Sequence, residues 1–256
     1  MNARRSFALA LTISCILHGV ATAQEANDSG FTAAKASDLE EVMVTARRRE
    51  ETLQQVPVAV TAFSPEDVAR KGIVDARSLE LAAPSFTIDM LGPGHVRTAI
   101  RGLGSDNTSP GQEFSTSMFL DGVPMGTGGM AAVDIFDVER VEVLKGPQGT
   151  LYGKNVVGGV VNVIPAHAEL RSTEGSVGVT VGDYGQLDGN GFVNLPTGDA
   201  VAHRLAFNVL HHDGYFDNRS GAGDPDNENH QGVRYSLTAQ PADSVQLNLA
   251  VDYSHD

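Results

Sequence analysis

From position 175 onward the chain alternates apolar residues with small or polar ones. Val177, Val179 and Val181 are interleaved with Ser176, Gly178, Thr180 and Gly182. Val233, Tyr235, Leu237 and Ala239 are interleaved with Arg234, Ser236, Thr238 and Gln240. The cleanest run sets Val245, Leu247, Leu249, Val251 and Tyr253 against Gln246, Asn248, Ala250, Asp252 and Ser254. A period of two places each apolar set on one face of a strand, so these runs predict amphipathic β-strands, with two less regular ones near 186–195 and 203–212. Short turns are predicted at 196–199 and 241–244, and a long loop at roughly 213–232. Alternation alone suits a soluble sheet with one wet face. The length of the segments, the small or polar residues throughout the opposing face and the unequal connections favour a membrane barrel.

Residues 53–166 read differently, as a compact α+β domain. Ser64, Pro65, Glu66 and Asp67 supply an N-cap hydroxyl, a first-turn proline and two acids, with Lys71 and Gly72 at the far end, which predicts a helix over 65–71. Asp75 can cap a second helix through Leu79 and Leu81, which Pro84 stops. A strand is predicted over 96–102, and two more flank Asp121-Gly122, a pair suited to the positive φ angles of a tight hairpin. Val141 and Val143, then Val160, Val161, Val163 and Ile164, form two further β-branched runs separated by Gly146, Pro147, Gly149 and Gly153.

The 256-residue chain permits one or two domains, and its 28 glycines point to a helix-poor, turn-rich architecture. A formal net charge of −14 without clustered Lys and Arg argues against a nucleic-acid partner. Arg4 and Arg5, the apolar run over 7–17 and the small residues Ala21, Thr22 and Ala23 have the form of an export signal cleaved before Gln24. The sole cysteine, Cys15, lies inside that signal, so no disulfide framework is expected. No window of 18 apolar residues follows the leader, which leaves a barrel as the route to membrane integration. Gly149 to Gly153 and Lys154 lacks the spacing of a phosphate loop and has Asn155 where Ser or Thr is needed. Asp217, Asp224, Asp226 and Glu228 do not have EF-hand spacing, and the adjacent His211 and His212 point to opposite faces of a strand, so no metal site is expected.

The stretch 137–164, together with Ile100-Arg101-Gly102 and the segment 119–124, closely resembles the plug domain of TonB-dependent outer-membrane receptors. The resemblance implies an α+β plug domain followed by the start of an antiparallel transmembrane β-barrel. It divides the chain into a signal peptide at 1–23, a flexible periplasmic arm at 24–52, a plug at 53–166 and about five barrel strands at 167–256. Glu41, Val42, Met43, Val44, Thr45 and Ala46 are similar to the family's TonB box, whose physical task is strand addition: an unpaired, extended segment offers its backbone to the edge of a partner's sheet. Loops of the plug that rise to the outer mouth make Ser105, Asn107 and Gln112 candidate ligand contacts. Arg101, Glu139, Arg140, Glu142 and Lys145 are candidates for latching the plug to the barrel wall.

By the same resemblance the chain is expected in the outer membrane, in contact with its lipid. The expected partners are TonB, with its inner-membrane energising complex, and a scarce ligand such as an iron–siderophore complex, with haem, cobalamin and sugar as less frequent cargoes. Neither catalysis nor a cofactor is expected, since energy arrives through the partner. Barrels of this family have about 22 strands, so the chain reads as an N-terminal fragment of a longer receptor that does not transport alone. The rival reading is a free-standing periplasmic binding module formed by 53–166, against which the amphipathic strands speak because their apolar faces need cover. A secreted hydrolase has little support, as there is no Gly-x-Ser-x-Gly elbow or other catalytic motif.

Overall fold

The computed structural model describes residues 43–44, 51–52, 56–92, 95–105, 115–126, 133–154, 156–215 and 227–255. The leader, and the arm apart from residues 43–44 and 51–52, lie outside these. Both predicted helices form where their caps place them. Helix α1 (Pro65–Lys71) begins with a reciprocal box in which the Asp67 N–H donates to Ser64 Oγ (3.2 Å) and the Ser64 N–H donates to Asp67 Oδ2 (3.5 Å). It closes on Gly72 at φ 62°. Helix α2 (Ala76–Ala82) repeats the box between Asp75 and Ser78. At the start of α1, backbone N–H groups and then Ser64 hold the Glu66 carboxyl below the usual carboxylate range, as expected for an anion at a helix N-terminus.

The strands of the first region are β1 (Met43–Val44), β2 (Glu51–Thr52), β3 (Ala59–Phe63), β4 (Phe86–Gly92), β5 (His95–Ile100), β6 (Leu103–Gly104), β7 (Thr116–Leu120), β8 (Val123–Pro124), β9 (Val138–Lys145) and β10 (Gly159–Pro165), with a single helical turn α3 (Gly149–Tyr152) between the last two. A five-stranded sheet has the order β3-β9-β10-β7-β8, in which β10 pairs parallel to β7 and antiparallel to β9. Alternation gives this sheet two buried faces. Val141, Val143, Val161 and Val163 pack with α1, α2, β4 and β5 on one side, while Leu144, Val160 and Phe119 pack with Val44, Val56 and Val156 on the other.

Two boundaries differ from expectation. The strand expected to reach 102 ends at Ile100, because Arg101 (φ 55°) and Gly102 (φ 75°) turn the chain into β6. Arginine is an uncommon occupant of a positive-φ turn position, so the turn was hidden. The Asp121-Gly122 hairpin forms as expected, with φ of 49° and 75°.

The second region is an antiparallel meander of β11 (Glu174–Val181), β12 (Leu187–Pro196), β13 (Val201–His212), β14 (Glu228–Ala242) and β15 (Val245–His255). Strand β14 starts inside the stretch expected to be loop, where Asn229 and Gln231 are polar on the outer face and erase the alternation, yet pair with His211 and Val209.

This sheet is inside out by the standard of a soluble protein. On β13 the buried set is Ala202, Arg204, Ala206, Asn208 and Leu210, while Leu205, Phe207 and Val209 are exposed. On β14 His230, Arg234, Ser236 and Thr238 are buried, and Val233 and Tyr235 are exposed. Cross-strand pairs such as Val193↔Leu205, Leu205↔Tyr235 and Tyr235↔Val251 knit the outward side chains into one apolar surface. Water does not favour such a surface, whereas hydrocarbon does. Leu249, paired with Leu237 and 58% exposed, is a direct test. Leu249→Arg is expected to cost about 2–4 kcal/mol if the position lies near a bilayer midplane, read from denaturant titration of the barrel in lipid. The same substitution on a soluble sheet face would leave the midpoint unchanged.

Candidate functional site

The segment 133–137 runs between the two regions, and its alternation divides its side chains between them. Val133 and Ile135 enter the core of the first region, and the Ile135 N–H donates to the Val74 carbonyl (2.8 Å). Asp134, Phe136 and Asp137 face the meander and meet three residues of its buried face.

Asp137, at φ 47°, receives a two-pronged contact from Arg204 of β13: Nε to Oδ2 at 2.9 Å and Nη2 to Oδ1 at 2.6 Å. Both side chains are buried, to 5% and 7% exposure, so this is a dry, geometrically fixed pair. The remaining arm of Arg204 reaches Glu174 of β11 at 3.3 Å, and its guanidinium lies 3.7 Å from the centre of the Phe192 ring on β12. Arg234 of β14 donates to the Phe136 carbonyl (3.2 Å), lies 4.9 Å from that ring, and also pairs with Asp252 of β15. His230 Nε2 lies 2.8 Å from Asp134 Oδ1. Gly232 makes room for the docking, since a Cβ there would come within 3.2 Å of the Phe136 ring.

The connection between the regions is tied to the same level. The Ala166 N–H donates to the Asp137 carbonyl (2.9 Å). Asn194, fully buried on β12, receives the Glu169 N–H at Oδ1 (2.9 Å) and donates from Nδ2 to the carbonyls of Glu169 (2.9 Å) and Ser172 (2.5 Å). Beside this connection lies an open cleft of about 450 Å³ whose lining includes Glu139, His167, Arg171, Thr238 and Gln246.

Of the residues expected to latch the two regions, Glu139 lines this cleft together with Thr238 and Gln246 of the meander. Arg140 donates to Glu142 (2.8 Å) and pairs with Glu139, so these described bonds stay within β9, where a spacing of two places Arg140 and Glu142 on one face. Arg101 is exposed in its turn, and Lys145 ends β9 half-buried. The described bonds that cross to the meander come from the residues just before β9.

Of the expected TonB box, only Met43 and Val44 are among the described residues; Glu41, Val42, Thr45 and Ala46 lie outside them. The segment was expected to be unpaired. Instead Met43 and Val44 pair antiparallel with Thr52 and Glu51. Val44 is completely buried in the cluster with Val56, Phe119, Leu144, Val156 and Val160, which gives the pairing its anchor. Ser105 receives the Ser115 N–H at Oγ (2.7 Å), which brings residues 105 and 115 together. Asn107 and Gln112 lie outside the described residues. Among the described residues, no cluster of His, Cys, Asp and Glu has the makings of a metal site.

Residues 52–160 match the family described as TonB-dependent Receptor Plug Domain. The vitamin B12 transporter BtuB of Vibrio vulnificus is 34% identical over 143 residues, covering 53% of this chain and 22% of the relative. The iron-regulated outer membrane virulence protein of Vibrio cholerae is 27% identical over 206 residues, covering 76% of this chain and 30% of the relative. Among solved structures, the ferric yersiniabactin uptake receptor FyuA of Yersinia pestis superposes with a TM-score of 0.67 at 21% identity, over 77% of this chain and 31% of that one. The chain thus spans less than a third of the length of each of these proteins.

By fold and comparison the chain is similar to the TonB-dependent receptors. Residues 52–160 match the plug domain of such receptors, and the meander that follows has the fold of the barrel strands that surround such a plug.

Proposed function

We propose that this chain serves a TonB-dependent active transport receptor of the outer membrane, with an iron–siderophore complex as cargo. The observation that carries the reading is the inside-out meander holding a plug against its polar face: the outer surface suits lipid, and the inner one a gated, wet passage. Strands β11 and β15 each have one paired side among the described residues. The transporting species is therefore a longer receptor in which further strands satisfy those edges, because unpaired backbone groups are costly in hydrocarbon. Residues 1–23 direct export and 24–52 form the periplasmic arm. Residues 53–166 act as the gate and 167–256 as the first wall strands. Ligand touches the apices of the plug, at Ser105, Asn107 and Gln112. The signal passes to residues 41–46, which add as a strand to TonB.

Iron is favoured as cargo by the names of the Vibrio cholerae relative and the Yersinia pestis structure, and cobalamin is the second reading from the Vibrio vulnificus transporter. The reading assigns no reaction to the protein. Transport work is supplied by the partner.

Uptake by cells carrying the native gene tests this. Radiolabelled ferric siderophore is expected to accumulate saturably, and accumulation is expected to stop when TonB is deleted or the proton gradient is collapsed. Accumulation of labelled cobalamin alone would select the second cargo. Uptake of either that ignores TonB would overturn the mechanism.

A further inference from the structure

Each of the two wall arginines that hold the plug has a second partner on the wall. Arg204 grips Asp137 of the plug and at the same time reaches Glu174, one strand beyond its neighbour. Arg234 holds the Phe136 carbonyl of the plug and also pairs with Asp252 on the adjoining strand. Glu174, Asn194 and Arg204 lie in register across β11, β12 and β13, and Arg234 is directly opposite Asp252. The Phe192 ring under Arg204 is likewise part of the wall. Both wall carboxylates are partly exposed, at 42% for Glu174 and 45% for Asp252.

We propose that Arg204 and Arg234 form a shared-partner clasp, bonded to plug and wall together when the plug is docked and retained by Glu174 and Asp252 alone when it moves. The proposal rests on the reading of the plug as a gate. A buried guanidinium that loses its only carboxylate is left charged in a poor dielectric, which would make undocking prohibitive. A wall carboxylate already within reach removes that penalty. It also keeps two bare cations from lining the opened passage, where they would retain an anionic chelate instead of letting it through. Asp137 and the Phe136 carbonyl, once released, meet water and need no substitute.

The clasp makes a prediction opposite in sign to that of a merely stabilising ion pair. Glu174 contributes more to the undocked state, where it is Arg204's only carboxylate, than to the docked state, where Asp137 is present. In the receptor refolded into bilayers, a spin label on the exposed Leu81 of α2 reports plug undocking as urea is raised. With Glu174→Gln and Asp252→Asn together, the undocking midpoint is expected to rise, and energised uptake to fall about tenfold at unchanged ligand binding. Asp137→Asn is expected to lower the midpoint. Glu174→Asp keeps a carboxylate and should stay near the parent, which separates the charge from folding defects, and heat-dependent gel migration checks that each barrel is formed. A double variant whose midpoint falls, or does not move, overturns the proposal. The urea measurement needs neither ligand nor TonB, so it stands even where the cargo assignment fails.

Discussion

Val44→Pro is expected to abolish energised uptake while ligand binding at the cell surface stays at the parental level. The strand addition proposed for residues 41–46 requires their backbone to donate and accept hydrogen bonds along a partner's sheet edge, and proline removes a donor and fixes φ. The structure adds a second role for this residue, because the Val44 side chain is also the buried anchor of the β1–β2 pair. A companion variant separates the two. Val44→Ala keeps the N–H and loses most of the anchor, so it should release the segment more readily and retain uptake. Accumulation of labelled ligand over minutes, set beside equilibrium binding to whole cells, reads both. Parental uptake by the proline variant would remove residues 41–46 from the coupling path, and equal loss in both variants would assign Val44 to packing alone.

The second large effect is structural. Gly159 opens the central strand β10 at φ 143°, between Lys145 of β9 and Thr116 of β7. A Cβ there would lie 2.2 Å from the Leu144 carbonyl oxygen and 2.9 Å from Ile100 Cδ1. Gly159→Ala therefore combines a disfavoured backbone conformation with a collision against backbone that cannot move away, and is expected to cost the plug about 3–5 kcal/mol. Hydrogen exchange of β9 and β10 amides in the folded receptor measures the loss directly. Unchanged protection would mean that the strand start relaxes more cheaply than this packing allows.

Features governed by neighbours in sequence were legible before the structure. Both helix N-caps, the stop at Gly72, the Asp121-Gly122 turn and the alternation of β11 and β15 depend on a few consecutive residues, so the chain states them locally. The parallel pairing of β10 with β7 was not legible, since 38 residues separate Leu120 from Gly159 and nothing local specifies which strands meet. The clasp was missed for a related reason. Asp137 heads the most recognisable stretch of the chain, yet nothing in its immediate neighbours specifies a partner on a strand 67 residues away. Arg204 lies in a strand whose alternation is weakened by His203 and His211 on its outer face. One signal was available: an arginine in phase with Ala202, Ala206 and Asn208, on the face opposite Leu205, Phe207 and Val209, marks the polar side of a membrane strand and asks for a partner. Of the expected latch residues, Arg140 and Glu142 stand two apart on β9, a spacing that lets them pair on their own strand.

The interleaving that turns the meander inside out also governs how such a chain travels. Because outward valines and leucines are followed by small or polar residues, with Val209 before Leu210 as an exception, no strand of the meander is apolar enough along its length to leave a translocation channel sideways into the first membrane it meets. Affinity for lipid appears only when the strands extend and pair, which gathers the scattered apolar residues onto one surface. The address is thus written in a form that the polypeptide cannot express until it folds, and a strand carrying two or three additional leucines on its inner face would reach the wrong membrane before it had the chance.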